Sequence, residues 1–347
     1  MWKKLIIFVL IVCQAGFAFA GEAKLGTTFS QIQCGYLDLD WQTTYTAILE
    51  MNFDVLRVGA YWAEIEREEG VYDFTQLDWQ VEQAAKNDIP LVLVVGMKSP
   101  RWPEFYIPEW LMSKVKLSFG QDVGKNALIK EKTLLFVEKV VTRYKDKKII
   151  HYWQVENEAL NRFGAKYWYI GKDLLKEEVD LVRTLDPGNR PIILTAATYP
   201  SRILRVISFL TLPHDAIEEC LEMCDILGVN VYPAIGYKIG RWKFYIRANK
   251  KERDVYFKKI VQRIKAAGKK PWITELQAEP WEAGHLVYRE EENPPTAQPQ
   301  YMAAHIEEFE ALGFETILLW GVEYWIYRWS FHGDVSWLYQ LASIKSE

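Results

Sequence analysis

The sequence predicts a single (β/α)8 barrel, and three observations carry that expectation. Short apolar runs recur along the chain, starting at residues 52, 89, 148, 190, 225, 271 and 315, with an eighth and earliest candidate at 26–32. Their near-continuous aliphatic and β-branched character suits strands buried on both faces of a parallel sheet. The intervals between them carry helical periodicity, and no Pro/Gly/Ser-rich linker divides the 347 residues. Eight strands alternating with helices fit a barrel of about 250 residues plus loop insertions. An open doubly wound sheet is the competing fold. It commonly shows a Gly-rich phosphate turn after an early strand, and none is visible.

Taken in order, the first twenty residues read MWKKLIIFVLIVCQAGFAFA. Lys3 and Lys4 precede a short apolar run, and Ala18-Phe19-Ala20 makes a small-x-small cleavage site, the anatomy of a secretory signal peptide. The expectation is a leader at 1–20, a mature (β/α)8 domain at 21–347, and a secreted or periplasmic protein. An uncleaved anchor is the alternative, although the run is short for a membrane span. GTTFSQI (26–32) and NFDVLRVGA (52–60) are the first two strand candidates, and IPLVLVVG (89–96) is the third. Leu134, Val137, Val141 and Tyr144 share one helical face ahead of KIIHYWQVENE (148–158). Asp186-Pro187-Gly188 ends a helix before RPIILTA (190–196), and DILGVNVYP (225–233) follows. Tyr256, Ile260 and Ile264 form a face that stops at Gly268, before PWITEL (271–276). Gly313 stops another helix before ETILLWG (315–321), and 322–347 reads as an aromatic loop with a short tail.

Composition removes several function classes. The net charge is −4, and Lys and Arg form no basic stripe, so a nucleic-acid partner is not expected. The five histidines are scattered, and no Cys/His spacing suits a metal. After the leader three cysteines remain: Cys34, Cys220 and Cys224. Cys220 and Cys224 lie one helical turn apart and could pair with each other, either could pair with Cys34, or all could stay reduced. Aromatic residues make up 14% of the chain, including 15 Trp, which suits stacking against the flat apolar faces of sugar rings as well as core packing.

The chemistry concentrates at strand ends. In such a barrel, catalytic residues lie at the C-terminal ends of the strands. HYWQVENEALN (151–161) ends its apolar run in Glu156, Asn157 and Glu158. Glu158 stands at the tip, while alternation points Glu156 one layer deeper, where it needs a partner such as Arg57. Glu275 closes PWITE on strand 7, three βα units later, so the two strand tips face each other across one mouth. Paired carboxylates across a pocket are what glycoside hydrolysis requires: one protonates the leaving oxygen, and the other attacks the sugar carbon or activates water.

These residues make the sequence similar to the (β/α)8 retaining β-glycoside hydrolases that carry the acid/base on strand 4 and the nucleophile on strand 7. That superfamily holds cellulases, β-mannanases and β-galactosidases. The resemblance implies that Glu158 is the general acid/base and that Ile273-Thr274-Glu275 carries the nucleophile, Glu275. It further implies that Asn157 hydrogen-bonds the sugar 2-hydroxyl, and that Arg57 in LRV lies near the nucleophile. Tyr232 in NVYP would hydrogen-bond the nucleophile, and Trp320 in LLWG would lie under the reactive sugar. A second block, YWAEIEREEGVYDFTQLDWQVEQAAKNDIPLVLVVG, resembles the β-galactosidase-like branch. There Glu66, Gly70, Tyr72, Asp73 and Phe74 read as loop-shaping residues. No cofactor is implied, and the partner is an oligosaccharide or polysaccharide.

Four further tryptophans fall on C-terminal loops, where binding residues concentrate, and are candidate sugar subsites: Trp62, Trp102, Trp281 and Trp325. Lys98, Arg101 and Glu279 are polar candidates in the same loops, while His151 sits at the opposite end of strand 4. The competing functions are a carbohydrate-binding barrel without catalysis and a transglycosylase using the same residues.

Overall fold

The computed structural model describes residues 22–162, 164–203, 205, 215–291 and 293–346. The leader read at 1–20 lies outside the described residues. Eight parallel strands close a barrel: β1 (Lys24–Phe29), β2 (Val55–Gly59), β3 (Leu91–Val95), β4 (Ile150–Val155), β5 (Ile192–Ala197), β6 (Ile226–Val231), β9 (Lys270–Gln277) and β10 (Thr316–Trp320). They pair in chain order, and β10 returns to β1. Two further strands, β7 (Ala234–Ile239) and β8 (Trp242–Arg247), form an antiparallel hairpin between the sixth and seventh barrel strands.

The lower interior of the barrel is a small apolar layer of Val55, Val92, Ile193, Ile226, Trp272 and Leu318, with Tyr152 against it. Gly26 on β1 belongs to the same layer, because a Cβ there would lie 2.4 Å from the Val55 carbonyl oxygen. A second and larger core lies between the strands and the helical ring. Each fully buried Leu, Ile or Val in it contributes roughly 1.5–3 kcal/mol. The ring helix Ala127–Tyr144 shows how sequence sets such an element. Asn126 caps it by accepting from the Leu128 and Ile129 N–H groups, and Phe136, Val137, Val140 and Val141 are buried on its inner side. Removing such a cap costs about 1 kcal/mol.

Three expectations are corrected. Residues 322–346 hold two helices, Val322–His332 and Ser336–Ser346. Their aromatic content disguises them, because Tyr324, Trp325 and Trp337 are buried instead of decorating a loop. The first strand starts earlier than 26–32, and Gln31 and Ile32 belong to a helix capped by the Ser30 hydroxyl. The hairpin β7–β8 is a third difference, since the interval after residue 233 carries no strand in the sequence reading.

Candidate active site

The site is assembled from the upper ends of β2, β4, β6, β9 and β10 around a cavity of about 350 Å³. Regular pairing on β4 stops at Val155, and Glu156 and Glu158 both take left-handed backbone conformations, with φ of 58° and 48°. That change breaks the alternation on which the deeper position expected for Glu156 depends. Glu156 instead turns out between β3 and β4, where its carboxylate accepts from the N–H groups of Met97 (2.8 Å) and Lys98 (2.5 Å). Gly96 makes room for it: with φ of 121°, a Cβ there would meet Glu156 Oε1 at 2.2 Å. The other neighbour is Glu178, fully buried on the helix Lys172–Leu185. Two buried carboxyls in such proximity oppose each other's ionisation. Burial pushes the Glu156 carboxyl up to about 7 and holds that of Glu178 well above its ordinary range.

The interior place expected for Glu156 belongs to Gln154, whose Oε1 accepts from Arg57 Nη1 at 3.2 Å. Arg57 is fully buried and donates through Nε to Thr28 Oγ1 (2.8 Å) and through Nη2 to Glu275 Oε1 (2.9 Å). The other oxygen of Glu275 accepts from the Tyr232 hydroxyl at 2.6 Å. A bulge aims this carboxylate. Pairing between β6 and β9 slips between Val229 and Asn230, and pairing between β10 and β9 slips between Ile317 and Leu319. Glu275 therefore faces the cavity while Thr274 beside it is buried and donates to Asn230 Oδ1 at 2.7 Å, a common use of an extra residue beside a functional site.

Glu158 stands on the far side of the cavity. Its Oε1 accepts from Asn230 Nδ2 at 2.7 Å, its N–H donates to Thr195 Oγ1 at 2.7 Å, and its carbonyl accepts from Lys98 Nζ at 2.9 Å. Burial, followed by repulsion from Glu104 and Glu275, pushes its carboxyl up to about 8. Asn157 Oδ1 accepts from Gln154 Nε2 (3.2 Å), which leaves its amide nitrogen as the group for a ligand. The two candidate acids thus have opposite surroundings. Glu275 has a guanidinium and a phenol on its two oxygens, whereas Glu158 has a neutral amide and two carboxyl neighbours.

Trp320, Trp102 and Trp281 also line the cavity, the last two 45% and 44% exposed. Arg101 lies 3.9 Å over the Trp320 ring and bridges Glu279 to Glu323, the latter at 2.8 Å. Arg101 and Glu279 line the cavity, while Lys98 lies beneath it, paired with Glu104 at 3.1 Å.

Two tryptophans expected as subsites lie elsewhere. Trp62 is fully buried, stacked on Phe136 at 5.2 Å, with its Nε1–H on Glu66 Oε2. Trp325 is fully buried on the helix Val322–His332, stacked on Trp337, and donates to the Ala278 carbonyl. Both pack away from the mouth, so loop position alone misleads. Glu66 shapes its loop by also accepting from the Gly70 N–H, and Asp73 accepts from the Thr75 N–H. Cys34, Cys220 and Cys224 are all free and buried, and burial pushes the Cys224 thiol up to about 12. Sequence reasoning missed Asn230, Thr195 and Glu104. Asn230 carried a signal, since NVYP places it two residues before Tyr232 on the same strand face.

Comparison with known proteins bears on the fold and the family. Residues 36–173 match the β-galactosidase family model of glycoside hydrolase family 42. Among solved structures, the chain is similar to a β-galactosidase from Bacillus circulans sp. alkalophilus, with 15% identity and a TM-score of 0.59 over 86% of this chain and 50% of that one. It is also similar to the β-galactosidase of the Antarctic haloarchaeon Halorubrum lacusprofundi, with 16% identity and a TM-score of 0.54 over 85% and 52% of the two chains. For xylanase 10B of Thermotoga petrophila RKU-1 the identity is 14% and the TM-score 0.54, over 94% of both chains. The chain spans about half the length of the β-galactosidases it matches. At these identities the structural likeness shows the barrel fold. With the family match it bears out the resemblance to the (β/α)8 retaining β-glycoside hydrolases and supports a β-glycosidase.

Proposed function

We propose that this protein is an exported retaining β-glycosidase that hydrolyses oligo- or polysaccharides, with Glu158 as acid/base and Glu275 as nucleophile. The observation that carries the reading is the contrast between two carboxyls on one cavity. Glu158, raised to about 8, holds a proton at neutral pH. Glu275 is gripped by Arg57 and Tyr232 and faces the same space. In the first step Glu275 attacks the anomeric carbon as Glu158 gives its proton to the departing oxygen. In the second, Glu158 takes a proton from water, which displaces the sugar from Glu275.

Asn230 aims the Glu158 carboxyl, and Asn157 offers its amide to the sugar beside it. Trp320, with Arg101 on one face, provides an apolar floor. Export rests on the leader read at 1–20, and no described helix is long and apolar enough to cross a membrane. The test is hydrolysis of β-linked polysaccharides, oligosaccharides and aryl glycosides, with Glu275→Gln beside the wild type. Sugar release by the wild type alone fits the reading. Equal release by both proteins removes Glu275 as nucleophile.

A further inference from the structure

The hairpin β7–β8 is amphipathic in an unusual direction. Its cross-strand partners Ile235 and Ile246, Tyr237 and Phe244, and Ile239 and Trp242 all fall on one face. Lys238 and Lys243 are partners on the other. Period-2 alternation makes the first set a continuous apolar ladder three pairs long. Its inner end is part of the cavity, since Ile235 and Tyr237 line it. Exposure rises steadily outward: the inner pair is half-buried, Tyr237 and Phe244 are 37% and 38% exposed, and Ile239 and Trp242 are both 68% exposed. Tyr237 and Phe244 lie nearly parallel, with centroids 5.7 Å apart and an interplanar angle of 18°. The ladder is therefore a ramp that starts beside the two carboxylates and leaves the barrel mouth.

From this continuity we infer that the hairpin is an extended sugar-binding platform, so that the substrate is a glycan chain longer than the cavity. The inference rests on the hydrolase reading of the cavity. Sugar rings present flat C–H faces, and aromatic side chains meet them with large apolar area at little conformational cost. A second copy of the protein is a poor occupant. A six-residue hairpin is about 20 Å long, and its one apolar face falls far short of the ~800 Å² per partner of a stable interface. A bilayer is a poor occupant as well, because the apolar face is the one that bounds the cavity, and burying it in lipid would cap the site. A glycan emerging from the cavity meets the ladder without any rearrangement.

The test separates this platform from the chemistry. Binding of β-linked gluco-, manno-, galacto- and xylo-oligosaccharides, from disaccharide to hexasaccharide, is measured by calorimetry on Glu275→Gln, while aryl glycoside hydrolysis by the wild type reports the hydrolase reading separately. Affinity for at least one series should rise with chain length. Trp242→Ala and Phe244→Ala should each remove roughly 2- to 10-fold of the affinity for the longest chains. Phe244→Tyr, which keeps the ring, should restore the gain and show that the hairpin still folds. Affinity that is flat with chain length in every series overturns the platform, even where aryl glycosides are hydrolysed. So does an unchanged length dependence in both alanine variants, or a hairpin-dependent attachment to phosphatidylcholine–phosphatidylglycerol vesicles without any glycan effect.

Discussion

Replacing Glu178 by glutamine should flatten the dependence of stability on pH, because Glu178 and Glu156 form a buried carboxyl pair in which ionisation of one opposes that of the other. Both folded-state carboxyls bind protons more tightly than in the unfolded chain, where a Glu titrates near 4.3. A group raised in this way contributes stability in full below its unfolded value and loses it as pH climbs through the folded one. For Glu156 the climb runs from 4.5 to about 7. At about 1.4 kcal/mol for each tenfold change in proton affinity, that is on the order of 3 kcal/mol lost between acid and neutral pH. The introduced amide could donate to the Glu156 carboxylate without needing a proton, and the substitution removes the like charge. Thermal and urea unfolding of both proteins, in one buffer series from about pH 5 to pH 8, reads the difference. The wild type should lose more stability than the variant across that interval, by about 1–3 kcal/mol, so that the variant is the more stable at the alkaline end. Parallel slopes would refute this coupling of the two carboxyls. The consequence reaches the site, since Glu156 anchors the turn that carries Glu158.

Other outcomes follow from the same geometry. Repulsion from Glu104 helps keep Glu158 protonated, so Glu104→Gln should move the alkaline limb of the kcat/KM profile to lower pH from its wild-type position near 8. Tyr232→Phe removes a donor 2.6 Å from Glu275; at about 1.5–3 kcal/mol for a hydrogen bond to a charged group, kcat/KM should fall roughly 10- to 150-fold with little change in melting temperature. Trp62→Ala should cost about 3–5 kcal/mol in urea unfolding while leaving KM for an aryl glycoside unaltered, because the ring is core and not subsite.

Much of the barrel was legible because buried parallel strands announce themselves as uninterrupted apolar runs, and each barrel strand after β1 overlaps its run, with ends that differ by up to three residues. The placing of Glu158 and Glu275 on one mouth was legible because both acids close apolar runs, three βα units apart. What failed has two causes. Tertiary contacts decide whether an aromatic packs inward or faces a mouth, and sequence alone does not carry that information. Trp62 and Trp325 read like Trp102 and Trp281, yet Phe136 and Trp337 cover the first pair. Glu156 was misplaced because alternation presumes an extended backbone, and the left-handed residues at 156 and 158 end it. Asn230 escaped notice because its amide matters only once β6 is set beside β5 and β9, where it links Glu158 to Thr274.

As the proposed nucleophile, Glu275 would form a covalent bond to the sugar. Incubation with 2-deoxy-2-fluoro glycosides of the gluco, galacto, manno and xylo series, followed by peptide mass spectrometry, tests it directly. One glycosyl adduct, with one of these series, is expected on the peptide that contains Glu275. An adduct on any other residue, or turnover of natural substrate with inversion at the anomeric carbon, would contradict it.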